Sequence, residues 1–260
     1  MSISSWMQKH KENRRLRAIA HHRKHIKTKF GQGEDRQKAV YFFHEMGGKD
    51  GNLGLLERFM ANVEPSIRDE EEKEEVYHLL VGLGSEVIPA IVAYLNRKDA
   101  ARVPITWPLK VLVAVAPKEE AVRVIVEALA AMGTTYTQEP ERKVVLVSQL
   151  SDYEDERVVP ALIPFLRDHR DEVQLEALAA LTKKNDESAR EAMLEVMVDE
   201  ETPVRLRAAM ADSFQKNGWA TKGYRKKVAA VLPDGLHVDR SGRVKGRWTH
   251  ALSEQDDEEG

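Results

Sequence analysis

The stretch Val87-Ile-Pro-Ala-Ile-Val-Ala-Tyr-Leu95 aligns without a gap to Val158-Val-Pro-Ala-Leu-Ile-Pro-Phe-Leu166, roughly 70 residues further along the chain. A second match places Leu166-Arg-Asp168 over Met197-Val-Asp199, at a little under half of that offset. Self-similarity at such periods is typical of proteins built from stacked supersecondary units. The matches therefore predict a repeat architecture, with two repeats between the first pair of segments and one between the second.

The periodicity around these matches is helical. From Glu34 to about Val231, apolar residues recur at spacings of three and four, with short breaks rich in Gly, Pro and Asp. The pattern predicts helices over residues 4–26 and 34–46, helix-pair repeats over 51–82, 84–116, 117–151, 155–184 and 186–218, and a last helix over 219–231.

Prolines and glycines divide these segments. Proline is tolerated in the first turn of a helix, so three prolines are expected to mark helix starts: Pro89, Pro160 and Pro203. Pro104 and Pro108 are expected to kink or delay the helix that ends before Pro117. Gly47-Gly48 and Gly51 predict a flexible loop between helices.

The last two units carry the residues of a known repeat. In the later unit Asp199 stands in the turn, and Val204-Arg205 opens a second helix that runs into Ala208-Ala209. In the preceding unit Asp168 holds the same place, although Gln174 replaces the arginine. These units resemble HEAT repeats in the short bacterial form called PBS-lyase HEAT-like, and the weaker resemblance extends over about five units.

The resemblance implies an all-α fold, a right-handed α-α superhelix of the HEAT/armadillo solenoid type with about five helical hairpins. It implies that Asp199 and Arg205 brace consecutive repeats. It also implies that the second helices line a concave face. The candidate partner-binding residues on that face are Arg68, Trp107, Lys110, Arg142, Lys143, Gln174 and Arg207.

The C-terminal residues change period. Alternation on either side of Asp239–Gly242 predicts a small hairpin with a tight turn, which could cap the last apolar face. The predicted organisation is a basic N-terminal helix or arm over 1–33, a helical-repeat domain over 34–231, a hairpin cap over 232–250 and a disordered acidic tail over 251–260.

Charge is distributed unevenly although the total is only −3, from 40 Lys+Arg and 43 Asp+Glu. Residues 1–30 carry nine Lys and Arg against Glu12, residues 220–250 carry eight against two aspartates, and residues 251–260 carry five acids. Both basic ends are candidates for anion binding. The candidate residues are Arg14, Arg15, Arg17, Arg23, Lys24, Lys27, Arg225, Lys226, Lys227, Arg243, Lys245 and Arg247.

Several kinds of chemistry find no support in the sequence. Without cysteine there are no disulfides, thiolate metal sites or cysteine nucleophiles. The sequence contains none of the common nucleotide-binding, hydrolase or zinc-protease motifs. His21 and His25 have metal-ligand spacing, but the lysines and arginines around them would repel a cation. We therefore expect a non-enzymatic, cytoplasmic protein with no cofactor, no metal and no transmembrane insertion.

The acidic run from Glu70 to Glu75 has a simple explanation as the solvated start of a helix. Two functions stay open. The first is a scaffold that binds a protein partner along the concave face, and an acidic protein is a candidate for that partner. The alternative is a nucleic-acid or anionic-surface binder that uses the basic N- and C-terminal segments.

Overall fold

Residues 3–30, 33–97 and 103–248 are described by the structure, a computed structural model. Within them lie thirteen α-helices and one two-stranded antiparallel sheet. The helices are α1 (Ile3–Ile26), α2 (Gly33–Met46), α3 (Gly48–Leu56), α4 (Ser66–Gly82), α5 (Ile88–Leu95), α6 (Thr106–Val115), α7 (Lys118–Met132), α8 (Glu141–Leu150), α9 (Val158–Leu162), α10 (Asp171–Lys184), α11 (Arg190–Met197), α12 (Val204–Asn217) and α13 (Arg225–Val231). The strands are β1 (Leu236–Val238) and β2 (Val244–Gly246). The predicted all-α class with a small C-terminal hairpin is confirmed.

Helix boundaries follow the residues that punctuate the sequence. Pro89 is the second residue of α5, and Pro203 immediately precedes α12. The helix near Pro104 is delayed until Thr106, as expected. Gly218 closes α12 in the left-handed conformation, with φ 66, which glycine adopts without steric cost.

The predicted glycine loop is wrong, because Gly48–Leu56 forms α3. A side chain at Gly51 would collide with the carbonyl oxygen of Phe43, and one at Gly54 would collide with the Phe43 ring. Both glycines face α2, three residues apart on one side of α3. The lack of a side chain at these two glycines therefore allows α2 and α3 to approach closely, and the glycines do not form a flexible connection.

The chain divides into two compact units, Met1–Val124 and Ile125–Gly260. In the first unit α1 packs on α2, α2 on α3 and α3 on α5, while α4 packs on α6. Its core includes the fully buried side chains of Phe43, Leu55, Leu80, Ile91 and Val111.

In the second unit α8, α10 and α12 pack on one another in succession. Equivalent residues in this unit make the same hydrogen bonds. Asp168 and Asp199 each accept from the backbone N–H two residues later, and both lie just before a second helix. The hydroxyl oxygens of Thr182 and Ser213, 31 residues apart, lie 2.8 Å from each other, and each also lies within hydrogen-bond distance of the carbonyl four residues back. The self-similarity read from the sequence is thus matched by repeated local geometry.

The hairpin closes the described part of the second unit. The Asp239 carboxylate accepts hydrogen bonds from the N–H groups of Ser241 and Arg243, which shapes the predicted tight turn. Thr221, which follows α12, donates both its N–H and its hydroxyl to the carbonyl of Gly242. β2 also packs on α12. The hairpin is therefore tied to the last helix pair.

One prediction lies outside the described residues: the acidic tail at 251–260. Among the residues that are described, no single helix has both the length and the apolarity that a membrane crossing requires. The segments Ser66–Gly82 and Gly84–Leu95 have the required length and apolarity only when they are counted as one span, and that span is bent by 114° at the break between them.

Candidate functional site

Two predicted groove residues, Arg142 and Lys143, lie inside the second unit and not on a surface. They are 4% and 1% exposed. Lys143 donates to Asp168 Oδ2 at 2.6 Å and to the Thr135 carbonyl at 2.8 Å. Because Asp168 is also buried, the ammonium of Lys143 is used in an internal ion pair. Neither residue is available to a partner, which corrects the sequence prediction.

Gln174 and Arg207 also serve the fold. Gln174 donates to the carbonyl of Asp168 at 2.7 Å, and Arg207 donates to the carbonyl of Asp199 at 2.6 Å. Both side chains are half-buried and reach back to the turn before their own helix. They hold that turn in place, so the predicted groove loses two further contact residues.

The expected brace between consecutive repeats is formed by Asp199 but not by Arg205. The partner of the Asp199 carboxylate is Arg167 of the preceding helix pair. Arg205 is exposed instead, and it lines an open cavity of ≈ 480 Å³ together with Tyr136 and Arg170.

Trp107 is the predicted groove residue whose surroundings still suit partner binding. Its indole is half-buried and stacks on the buried ring of Phe59, with centroids 5.6 Å apart and planes 6° from parallel. Tyr77 meets it edge-on at 6.1 Å, and Lys110 Nζ lies 4.3 Å from the indole centroid. The third remaining groove candidate, Arg68, is exposed beside Gly33 at the start of α2.

The second half of α1 packs on the body of the first unit. Ile19 and Ile26 are buried, and two of the predicted anion-binding residues face the buried carboxylate of Glu57. Arg23 Nε lies 3.5 Å and Lys27 Nζ 3.0 Å from its oxygens. Arg97 Nη1 lies 3.2 Å from the same carboxylate, so three cations share it. Because Arg23 and Lys27 contact an internal charge, the prediction that they bind an external anion is corrected.

The first half of α1 is different, because every described side chain from Trp6 to Arg17 is exposed. Arg14 and Arg17 have no carboxylate partner in the part of the chain that the structure describes. Arg15 lies 3.6 Å from Asp50 across an exposed pair. Lys24, further along the helix, is exposed as well.

The C-terminal segment around α13 and the hairpin, residues 220–248, forms the most basic surface of the second unit; we call it the basic cap. Its eight lysines and arginines are all exposed, and none forms an ion pair within the described residues. They are Lys222, Arg225, Lys226, Lys227, Arg240, Arg243, Lys245 and Arg247. All six residues predicted here for anion binding are therefore accessible.

The hairpin sorts the basic cap into two faces. Leu236 and Val244 are buried, whereas Arg243, Lys245 and Arg247 alternate with the inward residues and are exposed. Lys245 lies within β2, and Arg243 and Arg247 lie directly before and after it. The hairpin therefore presents three exposed cations within five residues of the chain.

The first turn of α13 adds three more cations: Arg225, Lys226 and Lys227. No acidic residue lies in that turn. Cations there oppose the helix dipole, and they repel one another. This arrangement lowers the stability of a short helix. A bound anion would reduce the repulsion among the three cations.

The acids near the basic cap form no ion pair with its cations within the described residues. The hydroxyl and N–H of Ser241 and the N–H of Arg243 bond the Asp239 carboxylate and lower its pKa, and the charge of Lys245 also contributes to lowering it. Burial, with the charges of Glu195 and Glu191 on α11, raises the pKa of the Tyr224 hydroxyl. That ring also lies 5.9 Å from Lys227 Nζ. The cap thus combines unpaired cations with an aromatic ring, which suits contact with phosphates and bases.

The histidines of α1 do not assemble a metal site. Within the described residues, no three His, Asp or Glu side chains are grouped so that they could hold a metal ion. His21 and His25 are 4.3 Å apart between ring centroids, and His22 stacks on Phe42 at 4.0 Å. Burial, with the charges of the two neighbouring histidines, lowers the pKa of His22.

The first unit contains an internal charge network that was not predicted from the sequence. Arg58 is 0% exposed and donates to Asp69 at 2.7 Å and to Glu72 at 3.0 Å. Arg36 forms a two-pronged pair with the same Glu72. Lys73 donates to Asp69 at 2.6 Å.

A signal for this network was present in the sequence. Asp69, Lys73, Val76 and Leu80 follow one another at spacings of four and three, which is the phase of the buried face of α4. The interpretation of the acidic run as fully solvated was wrong for Glu72, because Arg36 and Arg58 come from elements outside α4.

Comparison with known proteins yields no relative: no protein-family model, no curated protein and no solved structure matches this chain.

Proposed function

We propose that this chain is a non-enzymatic helical-repeat protein of the HEAT type that binds nucleic acid through its basic cap. The observation that carries the proposal is the set of eight exposed cations on the cap, none of them ion-paired within the described residues. By contrast, four of the seven predicted groove residues are buried or engaged in holding turns. The geometry therefore favours the alternative function over the peptide groove.

The repeat part of the proposal is supported by the second unit. Its helices α8, α10 and α12 contact their neighbours in succession, and its paired aspartates and hydroxyl residues repeat the same bonds. Each helix pair in such an array buries its apolar face against the next pair. The basic cap would then cover the last apolar face and carry its cations outward.

The physics of polyanion binding fits a small, dense basic surface. Each lysine or arginine that neutralises a phosphate releases a condensed counterion, and this release drives association. The three exposed cations at and beside β2, Arg243, Lys245 and Arg247, can contact neighbouring phosphates of one backbone. Tyr224 offers a ring on which a base could stack.

The proposal is tested by fluorescence anisotropy with a labelled short single-stranded DNA and its duplex, over a range of salt concentrations. We expect affinity to fall steeply with salt. The variant Arg243→Gln/Lys245→Gln/Arg247→Gln removes about 3 phosphate contacts, so the slope of log K against log salt should become less steep by about 2.7 for the duplex and about 2.1 for the single strand. An unchanged slope, or no binding at the lowest salt concentration, contradicts the proposal.

The second candidate function is a scaffold for a protein partner, and the exposed part of the Trp107 stack favours it. Tryptophan in a half-buried pocket is a frequent interface anchor, and Phe59 and Tyr77 hold this indole in place. Lys110 over the ring would select a partner that offers a carboxylate next to an apolar side chain.

The scaffold candidate predicts that Lys110→Glu abolishes capture of a specific partner in affinity purification while leaving the melting temperature unchanged. Lys118→Glu, an exposed lysine on α7, is the control. If both variants capture the same proteins as the parent chain, this surface is not the interface.

A further inference from the structure

We infer that the exposed first half of α1, residues 6–17, binds duplex DNA by lying in its major groove. The inference rests on the proposed nucleic-acid function and assigns a ligand class to a second site, in the first unit. It follows from three features of this half-helix: its exposure, the spread of its cations and the position of its single acid.

Every side chain from Trp6 to Arg17 is exposed. Trp6, Met7 and Leu16 are 64%, 55% and 53% exposed although they are apolar, and burial begins only at Ala18 and Ile19. Twelve residues of α-helix extend about 18 Å. The described residues of the first unit therefore hold the second half of α1, whereas they contact the first half only through the exposed pair of Arg15 with Asp50.

The cations of this half-helix are not confined to one stripe. At about 100° per residue, its five lysines and arginines spread over about 240° of the circumference. They are Lys9, Lys11, Arg14, Arg15 and Arg17. The remaining sector contains Gln8, Glu12 and Leu16, at i, i+4 and i+8, and so includes the only acid of the segment.

This distribution of cations distinguishes a ligand with a groove from a ligand with a flat surface. A membrane or other planar anionic layer is met by one face of a helix, with an apolar stripe and cations on the same side. Here Trp6, Met7 and Leu16 point in three different directions, and no apolar face exists. A ligand that carries phosphates on both sides of the helix would contact all five cations and leave the Glu12 sector facing outward.

The major groove of B-form DNA is such a ligand. It is about 12 Å wide and about 8.5 Å deep, and it accepts an α-helix of about 10–12 Å diameter between two phosphate walls. The major groove of A-form RNA is too narrow and deep for side chains to read. The geometry therefore assigns duplex DNA, and not duplex RNA, to this segment.

The helical positions assign roles within the groove. The centre of the basic arc contains His10, Arg14 and Arg17, which would face the base edges. Lys9 would contact one phosphate wall, and Lys11 with Arg15 the other. The exposed pair between Arg15 and Asp50 is weak enough to yield to a phosphate.

The test uses the full chain and a labelled DNA duplex, with anisotropy for affinity and dimethyl sulfate footprinting of guanine N7 in the major groove. Wild-type protein should protect guanine N7. In Arg14→Gln/Arg17→Gln, protection should be lost and affinity should fall by at least about tenfold. Gln8→Ala/Leu16→Ala, in the outward sector, should change affinity by less than about twofold. All four positions are exposed, and circular dichroism should show an unchanged helix content and melting curve.

The remaining outcomes separate this inference from the proposed function. If the Arg14→Gln/Arg17→Gln variant binds and protects like the parent while the cap variant does not, the groove assignment fails and the proposed function stands. If neither single-stranded nor duplex DNA binds, both fail. The groove assignment is also overturned if a duplex RNA of the same sequence binds as tightly as the DNA. It falls as well if the α1 variant loses binding to phosphatidylserine vesicles but not to DNA.

Discussion

At the scale of single residues, the second unit depends on an ion pair that is shielded from water. Lys143 and Asp168 have side chains that are 1% and 0% exposed, and their charged atoms are 2.6 Å apart. Removing water from both charges is costly, and only their close contact and the added bonds from Thr135 and Arg170 compensate. Loss of one partner leaves the other charge buried without compensation.

We expect Lys143→Met to lower the free energy of unfolding by about 3–5 kcal/mol, measured by denaturant titration. Lys183→Met is the matched control in the same unit. Its ion pair with Asp152 has side chains 57% and 61% exposed, and removal should cost less than about 1 kcal/mol. Equal losses in the two variants would show that the Lys143 pair behaves as a surface pair.

Asp69 and Glu72 in the first unit respond to acid. Burial of Asp69 opposes its ionisation, but hydrogen bonds from Lys73 and Arg58 outweigh burial and lower its pKa. Burial also opposes ionisation of Glu72, and Arg36 and Arg58 lower its pKa in the same way. Both groups therefore bind fewer protons in the folded than in the unfolded state.

A lowered folded-state pKa stabilises the protein above the unfolded-state values of about 3.9 for Asp and about 4.3 for Glu, and this contribution is lost as pH falls through the folded-state pKa. We expect Asp69→Asn to be less stable than wild type by about 3 kcal/mol near neutral pH. The difference between the two proteins should shrink below about pH 4, in denaturant titrations at several pH values. A difference that does not vary with pH would contradict this account.

At the scale of elements, α3 shows why a glycine-rich stretch can be a helix. Glycine lowers helix propensity, but Gly51 and Gly54 place bare backbone against Phe43, and the contact between α2 and α3 replaces what propensity lacks. Gly51, which suggests a loop in the sequence, thus allows α2 and α3 to approach closely.

Gly54→Ala should therefore destabilise the chain by about 1–3 kcal/mol, because the added methyl group overlaps the Phe43 ring. Gly82→Ala at the end of α4 is the control, since no atom lies within 4 Å of the added carbon. That substitution should leave the melting temperature unchanged or raise it slightly. Thermal unfolding of the two variants decides the matter, and a neutral Gly54→Ala would show that α2 and α3 can separate without loss.

α1 is a single helix with two environments. Its second half is held by buried Ile19 and Ile26 and by the Glu57 carboxylate, whereas its first half has no buried side chain. The same basic composition therefore serves internal neutralisation at Arg23 and Lys27 and exposure at Arg14 and Arg17. Composition alone does not distinguish these two uses.

At the scale of the whole molecule, the net charge of −3 hides local surfaces of opposite sign. At moderate salt the screening length is about 8–10 Å, so a ligand responds to the charges near it and hardly to the total. Binding of a polyanion by a chain of negative net charge is therefore expected when the cations are clustered.

This reasoning predicts different effects for two variants of equal net charge. Arg243→Gln/Lys245→Gln/Arg247→Gln removes three clustered cations, and Lys38→Gln/Lys118→Gln/Lys183→Gln removes three exposed lysines that are scattered over both units. The clustered variant should lose DNA affinity in anisotropy titrations at moderate salt, whereas the scattered variant should stay close to wild type. Equal losses would mean that net charge, and not the basic cap, controls binding.

The sequence by itself determined the helical class, the repeated segments near Asp168 and Asp199, the hairpin turn at Asp239–Gly242 and the basic character of the C-terminal segment. These depend on local rules: hydrophobic period, turn residues and charge runs act within a few residues of one another. Only the tertiary structure decided which charges are internal. Lys143, Arg58 and Glu57 look like surface residues in the sequence, and each is buried because a partner distant in the chain packs against it. Each of these three charged side chains is paired with a counter-charge from another element, and no local pattern specifies that meeting.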